Sequence, residues 1–373
     1  MNEDVLPEPD RAEGAPHPRE TLHLMGQGAA EAAFLDAHAT GRLHHAWMLT
    51  GPNGVGKATL AWRIARFLRT HQEAQEDALF GASPPPETLD VDPGHPVARR
   101  MLALSEPGLF LLRRGPNDKG DRLAQDIRVA EVRKMGNFFS LSAADGGRRV
   151  VIVDAADELN PQAANALLKM LEEPPARTVM LLIAHQPSSL LPTIRSRCRM
   201  LRLVPLGPED MARALDQAGI DPGGDAAVLA ELAAGSVGAA VRLVTLDGVA
   251  LYAEIVALME SLPRFDRARA LRLAEAVAQR GAEARRSLLF SLIDLFLARL
   301  ARTGATGAPP AVEAAPGEAA LLARLAPDAG RARLWAQVSE EVGSRARHGL
   351  AVNLDPVSLV LDTVLRIKQT AGG

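Results

Sequence analysis

Apolar positions along the chain follow two rhythms, and the rhythm changes near residue 206. Before it, short and nearly continuous apolar runs alternate with stretches in which apolar residues fall three or four apart. AWML (46–49), GLFLL (108–112), VVIV (150–153), TVMLLIA (178–184) and RMLRLV (199–204) read as five strands, and unbroken apolar runs are what strands covered on both faces require. Between them, QGAAEAAFLDAHA (27–39), KATLAWRIARFL (57–68), the stretch carrying Val132, Met135 and Phe139, and QAANALLKMLEE (162–173) read as helices. Asn160-Pro161 caps and opens the last of these, and Pro174-Pro175 ends it. Strands alternating with helices predict an α/β domain on a five-stranded parallel sheet.

After residue 206 the strand pattern ceases. Residues 207–262 carry short helical patterns broken by DPGG (221–224) and GSVG (235–238), 267–303 and 319–370 read as longer helices, and TGATGAPPAVEAAPGE (303–318) reads as a linker-like loop. The expected division is a disordered tail over 1–20, the α/β domain over 21–205 with an irregular insertion at 70–107, a small helical domain over 206–265 and an all-helical C-terminal domain over 266–373. LLFSLIDLFLARL (288–300) is apolar enough to be either plain core or a surface where subunits meet.

The chemistry gathers where strands end. GPNGVGK (51–57) lies between the first strand and a helix, the context of a phosphate-binding loop. Backbone N–H groups contributed by Gly51, Asn53, Gly54 and Gly56, with the Lys57 ammonium, form an anion cradle at a helix N-terminus. The hydroxyl that would hold Mg²⁺ is missing, because Ala58 follows the lysine; Thr59 is rotated by about 100° around the helix and is no easy substitute. Asp154 ends the third strand, where open α/β sheets bind ligands, and is the natural Mg²⁺-side carboxylate. It is followed by Ala155, where a hydrolase needs an acid to orient water. Asp157 and Glu158 read as solvated acids on the next turn.

Composition narrows the picture. The chain has 373 residues, a formal net charge of -3 and one cysteine, Cys198. The charge argues against coating nucleic acid by bulk electrostatics, and a lone cysteine makes neither an internal disulfide nor a multi-cysteine zinc site. The acidic, proline-bearing N-terminus lacks a signal-peptide pattern, and no apolar run reaches membrane-spanning length, so the expectation is a cytoplasmic protein without a membrane partner. His44, His45 and His185 show no metal spacing, and the pairs Arg99-Arg100, Arg113-Arg114 and Arg148-Arg149 read as solvated edges.

HHAWMLTGPNGVGKATLA (44–61), VVIVDAADELNPQAANALLKMLEEPP (150–175) and LLPTIRSRC (190–198), in that order, resemble bacterial clamp-loader subunits of the AAA+ class, with NALLKMLEEPP and SRC (196–198) the most specific elements. The resemblance covers about residues 20–245. It implies an AAA+ P-loop domain, a helical lid and a helical oligomerisation collar, within a DNA polymerase III holoenzyme that loads a sliding clamp at primer–template junctions. Against the ATP-hydrolysing gamma/tau type, four positions depart: Ala58 for Ser/Thr, Ala155 for Glu, Ala184-His185 for a Thr-bearing sensor segment, and Gly238 for a sensing Arg. The chain therefore resembles the delta-prime type, with a degenerate ATPase site and no activity expected alone.

From spacing alone, Arg197 is a surface arginine beside Arg195 and Arg199; the resemblance at SRC makes it an arginine finger donated in trans to a gamma/tau neighbour. The implied partners are gamma/tau and delta subunits in a hetero-pentamer, and through them the clamp and primed DNA. The degenerate pocket leaves ATP with Mg²⁺ held without hydrolysis as an open expectation; no zinc is expected, since residues 70–120 lack the family's cysteines. The alternatives are a gamma/tau-like ATPase, a non-hydrolysing nucleotide sensor, and a DNA-binding module outside any loader.

Overall fold

A computed structural model of the chain describes residues 6–12, 14–71, 86–140, 147–223 and 226–372. The described residues form two compact units, Met1–Gly219 with Gly235–Gly238, and Ile220–Ala234 with Ala239–Gly373.

The first unit is built on β1 (Ala46–Thr50), β2 (Leu109–Arg113), β3 (Arg149–Asp154), β4 (Thr178–Ala184) and β5 (Arg199–Arg202). All pair in parallel, in the order β2-β3-β4-β1-β5. The apolar runs fall where the pattern put them, within a residue or two. Central strands β1 and β4 are buried at every position. The helices are α1 (Gly28–Ala39), α2 (Lys57–Thr70), α3 (Pro96–Leu102), α4 (Val129–Ser140), α5 (Pro161–Glu172), α6 (Pro192–Arg195) and α7 (Pro208–Gln217). On one face of the sheet, Met48, Val151, Val153, Met180 and Leu182 pack with Val132 and Met135 of α4 and with Ala163, Leu167 and Leu171 of α5. On the other, Phe34 of α1 meets Trp47, ring centroids 5.2 Å apart. Each large apolar side chain so buried contributes about 1.5–3 kcal/mol. Asn160 caps α5 as the sequence foretold: its side chain accepts from the Ala163 N–H at 2.8 Å.

Three expectations are corrected in this unit. Residues 6–20 do not hang free where they are described: His17 is fully buried, its ring set edge-on to Trp62 of α2 at 5.8 Å. The insertion at 70–107 is not wholly irregular, because Pro96 starts α3 and His95 caps it, its ring nitrogen accepting from the Val97 N–H. Residues 72–85 lie outside the described part. The basic pairs are not merely solvated: Arg113 pairs with Asp10, Arg114 with Glu158 at 3.0 Å, and Arg100 with Glu106 at 2.9 Å.

The second unit is helical, with α8 (Ala226–Leu232), α9 (Val237–Thr245, starting in the first unit), α10 (Gly248–Glu260), α11 (Arg267–Ala278), α12 (Glu283–Thr306), α13 (Glu318–Leu325), α14 (Ala329–Ala351) and α15 (Pro356–Gly372). Of the lid expected over 206–265, residues 220–234 and 239–265 fall in one compact unit with the C-terminal helices, and 206–219 and 235–238 fall in the first unit. Within α12, Leu288, Leu289, Phe290, Leu292, Ile293, Phe296, Leu297 and Leu300 are all buried, so the apolar stretch at 288–300 is core and not an exposed meeting surface. The stretch at 303–318 is no linker either. Arg299 reaches across to the Val312 carbonyl at 3.0 Å, and the Ala314 N–H donates to the Glu318 carboxylate at 2.7 Å. Among the described residues no single helix is long and apolar enough to cross a membrane.

Candidate functional site

The carboxyl ends of β1, β3 and β4 carry the candidate nucleotide site. The turn from Gly51 to Gly56 leads from β1 into α2, and its glycines are required. Gly54 has φ +74°, and a Cβ there would stand 2.3 Å from Ser236 Oγ. Gly56 has φ +99°, and a Cβ there would stand 2.5 Å from Leu24 Cδ1. The loop is thus overlaid by two distant segments of its own unit. The Gly238 N–H donates to the Gly54 carbonyl at 3.2 Å, so GSVG lies directly on the loop. Gln27 sits beneath it, donating to the carbonyls of Val55 at 3.3 Å and Val204 at 2.7 Å.

Lys57 is almost wholly buried, and its ammonium donates to the carbonyls of Gly51 at 2.7 Å and Pro52 at 2.5 Å. Burial pushes its pKa down to about 8, against the attraction of Asp157 and Asp154. Asp154 ends β3 opposite Arg113 of β2. Burial, then the carboxylates of Asp10 and Glu158, push its pKa up to about 7, against Lys57 and Arg113. Gly51, Gly54, Gly56, Lys57 and Asp154 thus lie in one neighbourhood, and Asn53 is exposed on the loop.

Asp157 is not the solvated acid expected. Its carboxylate accepts from the backbone N–H of His185 at 3.1 Å and of Gln186 at 3.1 Å, tying the turn after β3 to the end of β4. This brings His185 to the pocket, where burial and then the nearby Lys57 charge hold its imidazole below the usual range. The only sequence signal for this clamp was an acid three residues beyond a strand end.

The N-terminal segment also reaches the site. Asp10 is ion-paired to Arg113 at the end of β2, and its carboxylate lies 3.2 Å from His17 Nε2. His17 Nδ1 accepts from the Arg19 N–H, which leaves the ring proton on Nε2, facing Asp10. Farther along, the Arg66 guanidinium on α2 donates to the Arg19 carbonyl at 2.9 Å. The segment thus runs from β2 across the Asp154 side to the P-loop helix.

A magnesium–nucleotide fits this set of groups badly. Ala58 offers no oxygen, Asp154 is half protonated near neutral pH, Lys57 is engaged by its own loop, and Gly238 has no side chain to reach a phosphate. Among the described residues, no group of three or more His, Cys, Asp and Glu is placed to hold a metal ion.

At the opposite, amino edge of the sheet sits SRC. Arg197 Nη1 donates to the Thr193 carbonyl at 3.0 Å, and Nη2 lies 2.9 Å from Glu172 Oε1. Ser196 Oγ donates to the same Thr193 carbonyl at 3.2 Å, and Cys198 packs against the core, with burial pushing its thiol up to about 12. Neither is arranged as a nucleophile. His45 has a local use: its Nε2 stands 3.1 Å from the Leu171 carbonyl, binding the end of α5 to the start of β1.

A glycine loop between β1 and α2, an acid at the end of β3, and β4 inserted between those two strands define a P-loop protein of the AAA+ class. Residues 26–207 match the family described as DNA polymerase III, delta subunit. Over those residues, just under half of its length, the chain is similar to clamp-loader subunits of the delta-prime type. It is 42% identical over 155 residues to the DNA polymerase III subunit delta′ of Pseudomonas aeruginosa, covering 41% of each chain. It is 34% identical over 211 residues to that of Escherichia coli, covering 56% of each. The DNA polymerase III subunit gamma of Buchnera aphidicola is more distant, 27% identical over 201 residues, covering 52% of this chain and 47% of that one. The chain thus spans about half the length of the curated relatives it matches.

Proposed function

We propose that the chain serves as the non-motor, delta-prime-like subunit of a replicative clamp loader in a bacterial DNA polymerase III holoenzyme. In this reading it works in the cytoplasm at the replisome, beside gamma/tau and delta subunits. The assembly opens a sliding clamp and places it on primed DNA. This chain contributes Arg197 to a neighbour's ATP site while its own pocket hydrolyses nothing.

The observation that carries the reading is the placing of Arg197 relative to the loop. Arg199, two residues on, pairs with Trp47 near the start of β1, whereas the loop begins after Thr50 at its end. At about 3.3 Å per residue, four residues of strand put roughly 13 Å between the two sites before either side chain is counted. Arg197 faces away from its own pocket and is available only to a chain docked on the amino edge. A planar, permanently charged guanidinium suits the spreading negative charge of phosphoryl transfer. At home, the missing hydroxyl, the missing acid and the closed loop fit a pocket used as structure.

The test is reconstitution. With the same organism's motor and delta partners, Arg197→Ala is expected to leave assembly intact and to cut ATPase by about 10³-fold at the site it serves. The purified chain alone is expected to show no ATPase; motor-like turnover by this chain would favour the gamma/tau reading, and saturable binding of a fluorescent ATP analogue without turnover would favour the sensor.

A further inference from the structure

Resting on the finger reading, we infer that Glu172 is a positioning residue for Arg197, holding the guanidinium at a fixed angle on the amino edge before a neighbour docks. A free arginine side chain samples many rotamers, and a finger is effective only when its N–H groups meet the phosphate oxygens in the right plane. Two contacts on the guanidinium restrict it here, the Thr193 carbonyl at Nη1 and the Glu172 carboxylate at Nη2. The first comes from α6, four residues back in the same turn, and moves with the finger. The second comes from a different element and fixes the finger to the body of the domain.

That body is rigid at this point. Glu172 is the last residue of α5 and follows buried Leu171, whose carbonyl is held by the His45 ring. The helix is anchored at its other end by the Asn160 cap and along its length by Ala163, Leu167 and Leu171. The carboxylate is therefore presented from a fixed point. Arginine has five N–H donors, and these contacts take two, so three remain to face phosphate. The pair is partly solvent-exposed, with 36% and 45% of the side chains accessible, so its use lies in orientation and little in stability. Among the described residues, neighbouring Arg195 and Arg199 have no carboxylate partner; Arg199 instead lies over the Trp47 ring at 5.0 Å. The carboxylate is supplied to the one arginine of SRC.

The experiment is a double-mutant cycle in the reconstituted loader, following kcat and KM for ATP. Glu172→Ala is expected to lower kcat about tenfold with KM unchanged, and to have no further effect when Arg197 is already alanine. Glu172→Gln, which keeps an oxygen at the same reach, is expected to recover kcat to within about threefold of wild type. Unfolding midpoints of the single chain should stay unchanged. Equal losses with and without Arg197, or no loss on Glu172→Ala while Arg197→Ala is slow, would overturn the positioning role and leave the finger standing. Normal turnover by Arg197→Ala would instead remove the finger reading and this inference with it. If Glu172→Ala does not assemble, Glu172→Asp supplies the test: withdrawing the charge by one methylene should lower kcat, and unchanged kcat overturns the role.

Discussion

The backbone N–H of Gly238 donates to the Gly54 carbonyl across 3.2 Å, joining two segments that are far apart in the chain and close over the phosphate loop. The contact needs glycine on the loop side: a Cβ on Gly54 would lie 2.3 Å from Ser236 Oγ and 3.1 Å from Gly238 N, at a φ of +74°. Gly54→Ala therefore combines backbone strain with a clash and is expected to destabilise the first unit by about 2 kcal/mol in urea unfolding. Adding Ser236→Gly should return part of that loss by removing the nearest atom. Wild-type stability in the single variant would mean that GSVG does not press on the loop.

Asp154 gives the pocket a pH signature. Its pKa is raised from 3.8 to about 7, so the folded chain binds this proton more tightly than the unfolded chain does. Stability from this group is therefore fully present below about pH 4, falls as the pH rises toward 7, and is flat above. Asp154→Asn removes the charged form, and at pH 8 it should stabilise the chain, by at most about 4 kcal/mol, a shift in which the attraction of Lys57 is already included. At pH 4, close to the unfolded value, the gain should nearly vanish. Lys57, lowered from 10.5 to about 8, adds the opposite slope between those values, so the comparison belongs at or below pH 8. A gain of equal size at both pH values would show that the carboxyl is not being forced to ionise in a buried place.

What the sequence made legible, and what it hid, divides by distance along the chain. VVIV and TVMLLIA announced central strands because both faces of such strands are apolar, and Asn160-Pro161 announced a helix start because capping is local chemistry. The glycine loop and Asp154 were legible for the same reason, each marked by a strand end. The ties that shape the pocket were not. Asp10 meets Arg113 across 103 positions, and Asp157 clamps backbone N–H groups 28 and 29 positions on. No periodicity links such residues, so each reads as a solvated charge until the fold brings them together. The helix α3 was hidden by surrounding prolines and glycines, whose turn chemistry dominates any short window. Arg197 stood out only through SRC; its carboxylate partner is 25 residues away, at the end of a different helix.

The N-terminal segment offers a direct contrast with a free tail. His17 has no exposed surface, faces Asp10 through Nε2, accepts from the Arg19 N–H through Nδ1 and lies edge-on to Trp62. His17→Ala removes the ring and leaves the Asp10 carboxylate short of one partner in a buried place. The expected cost is about 2–3 kcal/mol in chemical denaturation. Limited proteolysis should show earlier cleavage within residues 6–20 in the variant. Unchanged stability and unchanged cleavage would return the segment to the status of a tail.

In the helical unit, Arg299 is the corresponding point of high stakes. Its guanidinium meets Glu318 through Nε at 2.7 Å and Nη2 at 3.0 Å, Glu231 through Nη1 at 2.6 Å, and the Val312 carbonyl through Nη2 at 3.0 Å. Glu318 in turn accepts from the Tyr252 hydroxyl at 2.5 Å. Both members of the central pair are essentially inaccessible, with 2% and 1% of the side chains exposed. Removing one partner leaves a carboxylate buried among apolar helices, and the loop 307–317 loses its anchor to α12. Arg299→Ala is accordingly expected to cost about 3–5 kcal/mol in chemical denaturation, whereas Arg299→Met paired with Glu318→Leu, which removes both charges and keeps volume, should cost much less. If the single substitution proved no worse than the double, the network would be contributing packing alone and the charges would be incidental.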